Sequence, residues 1–501
     1  MGFMLYLLSA ALSSLIISTI LVVARFRYSF RHICQAFVSR AKERNRANHQ
    51  EDQEDNGTFL IGFFHPHCGA RGGGERVLWK AIQAFGELKE DAMESRGDSN
   101  GGLHDDALAR HCRNLAVAVY TIDEPKQGYK RGEVQLFAVR ELFFHPEMME
   151  AYPNYTNIML CYADIMKQVQ ERFSITISSS LQMLAGCKVG TYVHYPTTSN
   201  DMLSLVWERR PTYNNKSEIT SSPMVTYVKL IYYSLFAILY GLVGSLADLV
   251  MVNSSWTKGH IQYLWQFAQD IQVVFPPVDT ASLAELSLSD PPRENLILSI
   301  GQFRPEKDHA LQLQAFALAL DMHDGKMKQS NPKLILVGSC RGEDDRERVD
   351  QLHKLARELN VEDSVEFVLN QPYSVLKDYL SRASVGIHTM WNEHFGIGVV
   401  EMMAAGLVTV AHNSGGPKSD IIESVWDFRD FANSTRKTPT GCLEGTAEEY
   451  AHAIYEIINR GDKSREVTDI RHCSRRSAER FSDQVFMKSI KETILLSPLL
   501  K

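Results

Sequence analysis

Glu393-His-Phe-Gly-Ile-Gly-Val-Val-Glu401, in the second half of this 501-residue chain, carries two carboxylates that are separated by seven residues. Gly396 and Gly398 stand between them, directly before an apolar stretch that predicts a helix. Glycines at a helix N-terminus leave backbone N–H groups open to phosphate or sugar oxygens. In this geometry Glu401 can accept hydrogen bonds from a ribose, and Glu393 can reach sugar hydroxyls. Two surface glutamates beside a chance turn would also explain this stretch. Other segments of the sequence must therefore show whether it belongs to a ligand site.

A basic patch lies upstream in Ser299-Ile-Gly-Gln-Phe-Arg-Pro-Glu-Lys-Asp-His309, which follows an apolar strand and opens a predicted helix. Arg304 and Lys307 can neutralise a diphosphate there, Arg304 as a planar fork and Lys307 as a point charge. Either residue alone would be an ordinary solvated helix start. Together with the glutamates, they indicate a phosphate-bearing ligand.

A glycine-rich turn, His65–Arg76, follows the first apolar strand of the globular part. It contains Gly72, Gly73 and Gly74 before a helix predicted at 77–85. Such a strand-to-helix turn permits close approach of the backbone to a ligand. The spacing is not G-x-G-x-x-G, which disfavours a dinucleotide cofactor and favours a nucleotide sugar between two domains.

Two further segments lie at predicted strand ends. His194, in Tyr192-Val-His-Tyr-Pro196, would face the same cleft, although a lone histidine is more often structural. Asn413-Ser-Gly-Gly-Pro-Lys-Ser-Asp420 is another glycine turn, and it follows the strand predicted at 408–411. Ligands of α/β proteins collect at the carboxyl ends of strands, so both segments are site candidates.

Apolar strand-like runs alternate with amphipathic helical stretches from about residue 58 onward, which predicts parallel sheets in doubly wound α/β domains. The predicted strands are 59–64, 115–120, 190–194, 249–252, 296–300, 333–337, 365–369, 385–388 and 408–411. Val273-Val-Phe-Pro-Pro-Val-Asp279 is the predicted interdomain hinge. Asp91–Arg110, rich in Gly, Asp and Ser, predicts a mobile surface loop.

The predicted organisation has five parts. They are an anchor at 1–24, a basic then acidic linker at 25–57, an N-terminal domain at 58–275, a C-terminal domain at 276–475, and a C-terminal helix at 476–501 that crosses back to the N-terminal domain.

The net charge of -7 argues against a chain-wide polyanion binder, so any basic site must be local. The eight scattered cysteines form no C-x-x-C pair, which indicates reduced thiols and neither a zinc site nor a disulfide framework.

The segment from Phe3 to Ala24 carries no charge over about 22 residues, long enough to cross a bilayer as a helix. A cleaved signal peptide is the alternative, but the apolar run is longer than usual for one and no basic residues precede it. The basic residues that follow predict a cytosolic body; they are Arg25, Arg27, Arg31, Arg40, Lys42, Arg44 and Arg46. The N-glycosylation sequons would then stay unmodified; they begin at Asn56, Asn154, Asn215, Asn253 and Asn433.

The segment Val225–Val252 allows two interpretations. Its tyrosines, leucines and isoleucines fit a buried helix followed by a buried strand. They equally fit an interfacial helix that dips into a membrane beside the cleft, with Lys229 reaching to the surface.

These patches together resemble the retaining glycosyltransferases of the GT-B fold, over most of residues 58–490. That resemblance implies an α/β fold in which two Rossmann-like doubly wound domains face a cleft, here with an N-terminal transmembrane helix added. Five sequence motifs of this chain are similar to those of the α-1,2-mannosyltransferases of asparagine-linked glycan assembly. They are GGGERVLWKAI, VHYPT, GQFRPEKDH, NEHFGIGVVEMMAAG and NSGGPKSDI. Those enzymes use GDP-mannose to extend Man3GlcNAc2-diphosphodolichol to Man5GlcNAc2-diphosphodolichol on the cytosolic face of the endoplasmic reticulum.

The resemblance also implies roles for individual residues. The implied catalytic residues are Glu393, His194, Lys307 and Arg304, and the implied donor-binding residues are Glu401, Gly396, Gly398, Gly73 and Gly74. GDP-mannose would bind the C-terminal domain, and the dolichyl-diphosphate oligosaccharide would bind the N-terminal domain. No metal or cofactor is expected, because no Asp-x-Asp motif is present. Further expected partners are the membrane and other lipid-linked mannosyltransferases, with no nucleic acid.

One position departs from the family pattern. Many members carry Arg directly after the glycine of the strand before the basic patch, where this chain has Gln302. Lys307 is in register, and Arg304, two positions after Gln302, is expected to supply the missing guanidinium.

Three other functions stay open at this point. A related lipid-linked mannosyltransferase that forms an α-1,3 or α-1,6 bond would share the donor site. A catalytically dead membrane-anchored scaffold would be favoured by loss of Lys307 or Glu393, and both are present. A dinucleotide-dependent enzyme is disfavoured because neither domain shows the full glycine fingerprint.

Overall fold

The computed structural model describes residues 59–64, 73–94, 115–121, 130–131, 134–138, 189–196, 207, 223–268, 270–288, 290–426, 438–461 and 464–497. The predicted anchor at 1–24, the linker at 25–57, Gly72 and most of the predicted loop at 91–110 lie outside these ranges.

The described strands are β1 (Phe59–Phe64), β2 (Leu115–Thr121), β3 (Lys130–Arg131), β4 (Val134–Ala138), β5 (Gly190–Val193), β6 (Leu249–Val252), β7 (Ile271–Val273), β8 (Glu294–Ile300), β9 (Lys333–Gly338), β10 (Val365–Leu369), β11 (Ala383–His388), β12 (Val408–His412) and β13 (Cys442–Glu444). The described α-helices are α1 (Gly73–Glu94), α2 (Pro223–Gly244), α3 (Ser255–Leu264), α4 (Thr280–Ala284), α5 (His309–Gly325), α6 (Glu343–Glu358), α7 (Tyr373–Arg382), α8 (Ile397–Ala405), α9 (Ala447–Arg460), α10 (Arg465–Ala478) and α11 (Asp483–Leu496).

The strands of the first half form two sheets within the described ranges. One has the order β1-β2-β4-β3, with β1, β2 and β4 parallel and the short β3 antiparallel to β4. The other consists of the parallel strands β5, β6 and β7. The ends of β1 and β5 are where the sequence places its glycine turn and His194.

The second half contains a parallel sheet in the order β10-β9-β8-β11-β12-β13. The strand order reverses at β8, because β9 and β10 lie on one side of it and β11 to β13 on the other. In open parallel sheets, ligands bind at the carboxyl edge where the order reverses. The segments after β8 and after β11 therefore flank the crevice, and they contain Lys307 and Glu393.

Helices cover both faces of this sheet and form two hydrophobic cores. Phe316 of α5, Leu352 of α6 and Tyr450 of α9 pack in the core on one face. Leu380 of α7 and Met403 of α8 pack in the core on the other face. Near-continuous burial of β11 and β12 agrees with this layering. The prediction of parallel sheets with helices on both faces is confirmed.

The last helix, α11, packs on α1 of the first half. Phe486 and Ile490 of α11 share a core with Val77 and Phe85 of α1. An ion pair between Arg76 and Asp483 closes at 2.8 Å beside this core. The apolar contact dominates the energy, because partly exposed ion pairs contribute only up to about 1 kcal/mol each.

Helix α2 buries only one side. Tyr240 is buried, whereas Tyr227, Ile231 and Ile238 are 64%, 50% and 61% exposed. The interpretation of this segment as a buried helix is therefore contradicted on the exposed side of α2, whereas β6 after it is buried as expected. Membrane contact by the exposed side stays a prediction. Within the described ranges, no helix combines the length and the apolar character needed to cross a membrane.

Helix α1 and several short strands differ from expectation. α1 begins at Gly73 and continues to Glu94, so Gly73 and Gly74 lie inside its first turn and its end occupies the start of the predicted loop. The negative charge of Glu75 in that turn interacts favourably with the dipole of α1, and the apolar side of α1 is buried. Both effects offset the poor helix propensity of the two glycines. The sequence pattern does not predict β3, β4, β7 and β13. Of these, β3 is polar, and β7 and β13 are very short.

Candidate active site

Lys307 reaches the crevice from a short 3-10 turn that follows β8. The turn spans Pro305–Lys307, and Asp308 after it adopts a left-handed conformation with φ 47°. The Asp308 side chain caps α5 by accepting from the Leu311 N–H at 3.2 Å. The aliphatic part of Lys307 lies over Gly301, where an added Cβ would be 3.4 Å from Lys307 Cγ. The turn therefore fixes the direction of the lysine stem.

Glu393 meets Lys307 from the opposite side of the crevice. Lys307 Nζ lies 2.5 Å from Glu393 Oε2, and His388 Nε2 lies 3.0 Å from the same oxygen. Glu393 Oε1 accepts from the backbone N–H of His394 at 3.1 Å. Lys307 also contacts Met390 Sδ at 3.2 Å. Two residues that the sequence placed on separate segments are thus in direct contact.

The charge of Glu393 is stabilised by these neighbours. Burial raises the pKa of Glu393, but the Lys307 ammonium and the hydrogen bond from His388 outweigh burial, so the pKa lies well below its usual range. Glu393 is therefore an ionised, acceptor-only carboxylate at neutral pH, suited to binding sugar hydroxyls.

The glycine turn after β12 supports the Glu393 loop. Gly416 N–H donates to the Glu393 carbonyl at 2.7 Å, and Ser414 Oγ accepts from Asn392 N–H at 2.8 Å. Gly415 has φ 61°, and an added Cβ there would lie 2.3 Å from the Glu393 carbonyl oxygen. The turn predicted as a ligand segment thus contacts the backbone that carries Glu393.

Gly415→Ala should therefore lower both stability and activity. The left-handed conformation costs alanine about 1–2 kcal/mol, and the Cβ clash would push the Glu393 loop out of place. We expect a lower thermal unfolding temperature and reduced transfer per folded molecule. Gly86→Ala is the control, because Gly86 lies in α1 with open space around its Cβ position. Equal unfolding temperatures for the two variants would contradict the expected strain.

Two helix N-termini face each other beside this pair. Gly396 caps α8 with φ 114°, and Gly398 packs on Ile300 at the end of β8. A Cβ on Gly73, the first residue of α1, would lie 2.6 Å from Ile397 Cδ1 at the start of α8. The N-terminal ends of α1 and α8 therefore meet, and both present partial positive charge suited to a diphosphate.

Glu401 lies on α8 in a different environment from Glu393. Burial raises the pKa of Glu401 to about 7, with Arg76 of α1 opposing the shift and Asp279 adding to it. Burial likewise raises the pKa of Tyr373 to about 12, and the Glu401 charge adds to that shift. The carboxylate of Glu401 thus lies near groups from α1, α7 and the hinge segment.

The raised pKa of Glu401 predicts a pH-dependent stability difference. The folded state favours protonated Glu401. The contribution of Glu401 to the free energy of unfolding is therefore complete below its ordinary pKa of 4.5 and is lost as pH rises toward about 7. Glu401→Gln mimics the protonated form, so its unfolding temperature should gain on the wild type between pH 5 and pH 8. Glu358→Gln, at an exposed position, is the control. A gain that is independent of pH would contradict the shift.

His194 directly precedes Tyr195, a residue that contacts the Glu393 loop. The His194 carbonyl accepts from Asn253 Nδ2 at 2.7 Å, and the His194 ring contacts Tyr192. The neighbouring Tyr195 stacks on His394, with ring centroids 5.2 Å apart. Ser254 Oγ donates to the His394 carbonyl at 2.5 Å. The first half of the chain therefore contacts the loop that carries Glu393 through a ring stack and a hydrogen bond.

Arg304 is placed at the edge of this arrangement. It is exposed, and in the described part of the chain no side chain pairs with its guanidinium. Its backbone carbonyl accepts from the Lys307 N–H at 3.1 Å, so it lies on the same turn. The structure brings together Lys307 and Glu393, and it leaves the Arg304 side chain outside their contact.

Sequence reasoning missed His388 and Arg76 as site neighbours. His388 reads as the last residue of a buried strand, and Arg76 reads as a surface residue of a helix. A histidine at the carboxyl end of a strand, five residues before a candidate glutamate, was the available signal for His388. No local pattern signals that Arg76 approaches Glu401, because the two lie in different halves of the chain.

The architecture and the site define a glycosyltransferase of the GT-B type. Solved structures with the same fold include a sucrose-phosphate synthase from Thermosynechococcus elongatus, at 16% identity and a TM-score of 0.54 over 86% of this chain and 97% of that one. Anabaena HepE in complex with UDP-glucose has a TM-score of 0.53 at 15% identity, over 87% of this chain and 99% of that one. The family described as glycosyl transferases group 1 matches residues 287–468.

Sequence relatives identify the family more closely. The family described as ALG11 mannosyltransferase N-terminus matches residues 58–95 and 173–265. The human GDP-Man:Man(3)GlcNAc(2)-PP-Dol alpha-1,2-mannosyltransferase is 41% identical over 85% of each chain. The protein of that name from Dictyostelium discoideum is 39% identical over 88% of this chain and 86% of its own. The chain belongs to this family of mannosyltransferases, as the wording of its motifs predicted.

Proposed function

We propose that this protein transfers mannose from GDP-mannose to Man3GlcNAc2-diphosphodolichol and adds the fourth and fifth mannoses in α-1,2 linkage. The observation that carries this proposal is the Lys307–Glu393 contact at the strand-order reversal, beside two helix N-termini, in a chain of this family. The geometry supplies cationic groups for a leaving diphosphate and an ionised carboxylate for a sugar. A catalytically dead scaffold is disfavoured, because both groups are present and in contact.

The binding roles follow from the surroundings of each residue. Glu401, near Arg76 and Tyr373, is assigned to the ribose of GDP-mannose. Lys307 and Arg304 are assigned to the diphosphate, together with the N–H groups around Gly396 and Gly398. Glu393, His194 and the backbone at 73–74 are assigned to the mannose. The guanosine lies against the C-terminal domain in this arrangement.

The chemistry consists mainly of leaving-group stabilisation. As the bond from mannose to the diphosphate breaks, negative charge grows on the phosphate oxygen that Lys307, Arg304 and the helix ends face. The acceptor hydroxyl attacks from the face that the diphosphate leaves and gives its proton to the departing phosphate oxygen, so the anomeric configuration is retained. No protein nucleophile or metal takes part in this proposal, in keeping with the lack of an Asp-x-Asp motif.

The lipid-linked acceptor places the reaction at a membrane. We assign the protein to the endoplasmic reticulum, with residues 1–24 as a single-pass anchor and the catalytic body on the cytosolic face. The uncharged run at 3–24 and the basic residues after it support this assignment.

A transfer assay with defined acceptors tests the function. The purified full chain is incubated with GDP-mannose and lipid-linked Man1GlcNAc2 or Man3GlcNAc2. We expect Man5GlcNAc2 from the second acceptor only, with both added mannoses released by an α-1,2-specific mannosidase. Transfer to Man1GlcNAc2, or products resistant to that mannosidase, would indicate a different lipid-linked mannosyltransferase.

A further inference from the structure

His388 contacts Glu393 from inside the sheet and has no part in the roles assigned above. It is the last residue of β11 and is 4% exposed. Its Nε2 lies 3.0 Å from Glu393 Oε2, the oxygen that Lys307 also contacts. Its backbone carbonyl accepts from Tyr450 Oη at 2.9 Å, which ties this strand end to α9.

The protonation state of His388 follows from its two ring nitrogens. Glu393 is ionised and can only accept, so the hydrogen bond requires a proton on His388 Nε2. His388 Nδ1 is buried, and it makes no hydrogen bond to another residue within the described ranges. Burial lowers the pKa of His388, and the Glu393 charge only partly offsets this shift. His388 is thus a neutral imidazole that donates from Nε2.

We propose that His388 is a positioning residue that holds the Glu393 carboxylate in place through its Nε2–H during transfer. This inference rests on the proposed function, because Glu393 is assigned there to the mannose. Lys307 contacts the same oxygen, but its ammonium is also attracted to the diphosphate of the donor. His388 has no such second target, since its ring is fixed in a buried strand.

The consequence concerns the moment when the donor binds. As Lys307 turns toward the diphosphate, His388 becomes the side chain that donates a hydrogen bond to Glu393 Oε2 and holds this oxygen in position. Oε1, held by the His394 N–H at 3.1 Å, keeps acceptor capacity for a mannose hydroxyl. Without His388, the buried carboxylate would follow Lys307 and lose its orientation toward the sugar.

Two substitutions separate positioning from folding. His388→Leu removes the donor at similar volume, and His388→Gln restores an N–H donor near the Nε2 position. Supporting residues that orient a functional group typically contribute about 10–100-fold. We expect His388→Leu to lower kcat by that factor with little change in KM for GDP-mannose, and His388→Gln to recover part of the loss. His472→Leu, at an exposed histidine, is the control.

The outcomes distinguish this inference from the proposed function. Loss of kcat that follows only the folded fraction, or equal loss in both His388 variants, would overturn the positioning role. A wild-type chain without transfer activity would contradict the proposed function instead. The contact is then tested by ¹⁵N NMR of labelled histidine, with His388 assigned by its loss in His388→Gln. We expect a neutral Nε2–H form that changes in Glu393→Ala, and an Nδ1–H form would overturn the inference.

Discussion

Replacing Lys307 by alanine should lower mannose transfer by about 10²–10³-fold, the usual effect of removing one strong donor to a developing negative charge. Lys307 Nζ contacts Glu393 Oε2 and Met390 Sδ, and its ammonium has three N–H groups that can turn toward the diphosphate when GDP-mannose binds. The loss should fall on both kcat and GDP affinity, because in its proposed role Lys307 contacts the diphosphate in the ground state and in the transition state.

The same substitution also changes the charges around Glu393. Without Lys307, burial is opposed mainly by His388 and His394, so the pKa of Glu393 should rise. In the wild type, the depressed pKa of Glu393 stabilises the fold above the ordinary value of 4.5, and this contribution is lost as pH falls through the depressed value. Lys307→Ala should therefore unfold at a lower temperature at neutral pH, and the difference should shrink in acid.

The measurements are transfer rate, GDP binding by calorimetry and thermal unfolding on the same preparations. Lys307→Met keeps most of the side-chain stem over Gly301 and separates the lost charge from lost packing. Lys354→Ala, with a side chain 73% exposed, is the control and should behave as the wild type. A Lys307→Met variant that is folded and retains transfer would remove Lys307 from the diphosphate site.

The sheet of the second half was predictable from sequence, because its strands are near-continuous apolar runs. β8 to β12 were all predicted to within two residues at each end, and their alternation with helices implied a parallel sheet. The carboxyl edge of such a sheet collects the segments after each strand. By that rule, the segments that contain Lys307 and Glu393, which follow β8 and β11, lie at one edge of the sheet.

The contacts within the site depended on features that have no local pattern. The approach of Arg76 to Glu401 joins residues that are far apart in sequence, through the packing of α1 against the second half. The turn after β12 illustrates the same limit: its glycines, Gly415 and Gly416, predicted a ligand turn, and they pack against the backbone around Glu393. Glycine signals a close approach of backbone, but sequence does not say whether the other party is a ligand or the chain itself.

Glu393→Gln should separate donor binding from catalysis. The amide keeps the volume of the side chain but removes the charge that neutralises Lys307, so the positive potential at the diphosphate position rises. GDP should therefore bind as tightly as to the wild type, or a few-fold more tightly. Transfer should nevertheless fall by about 10²-fold, because the mannose loses an ionised acceptor that His388 and the His394 N–H hold in place.

The opposite effects of Glu393→Gln and Lys307→Ala on GDP affinity make this prediction sharp. A purely structural role for the pair would weaken GDP binding in both variants, since either change would disturb the same crevice. An electrostatic role lowers affinity only when the cation is lost. Calorimetry with GDP, at two salt concentrations, distinguishes the two, because screening should reduce the difference between the variants. Glu358→Gln on the exposed surface is the control for a neutralised carboxylate away from the site. Weaker GDP binding by a folded Glu393→Gln variant would show that Glu393 orders the site for the diphosphate, and its assignment to the mannose would fail.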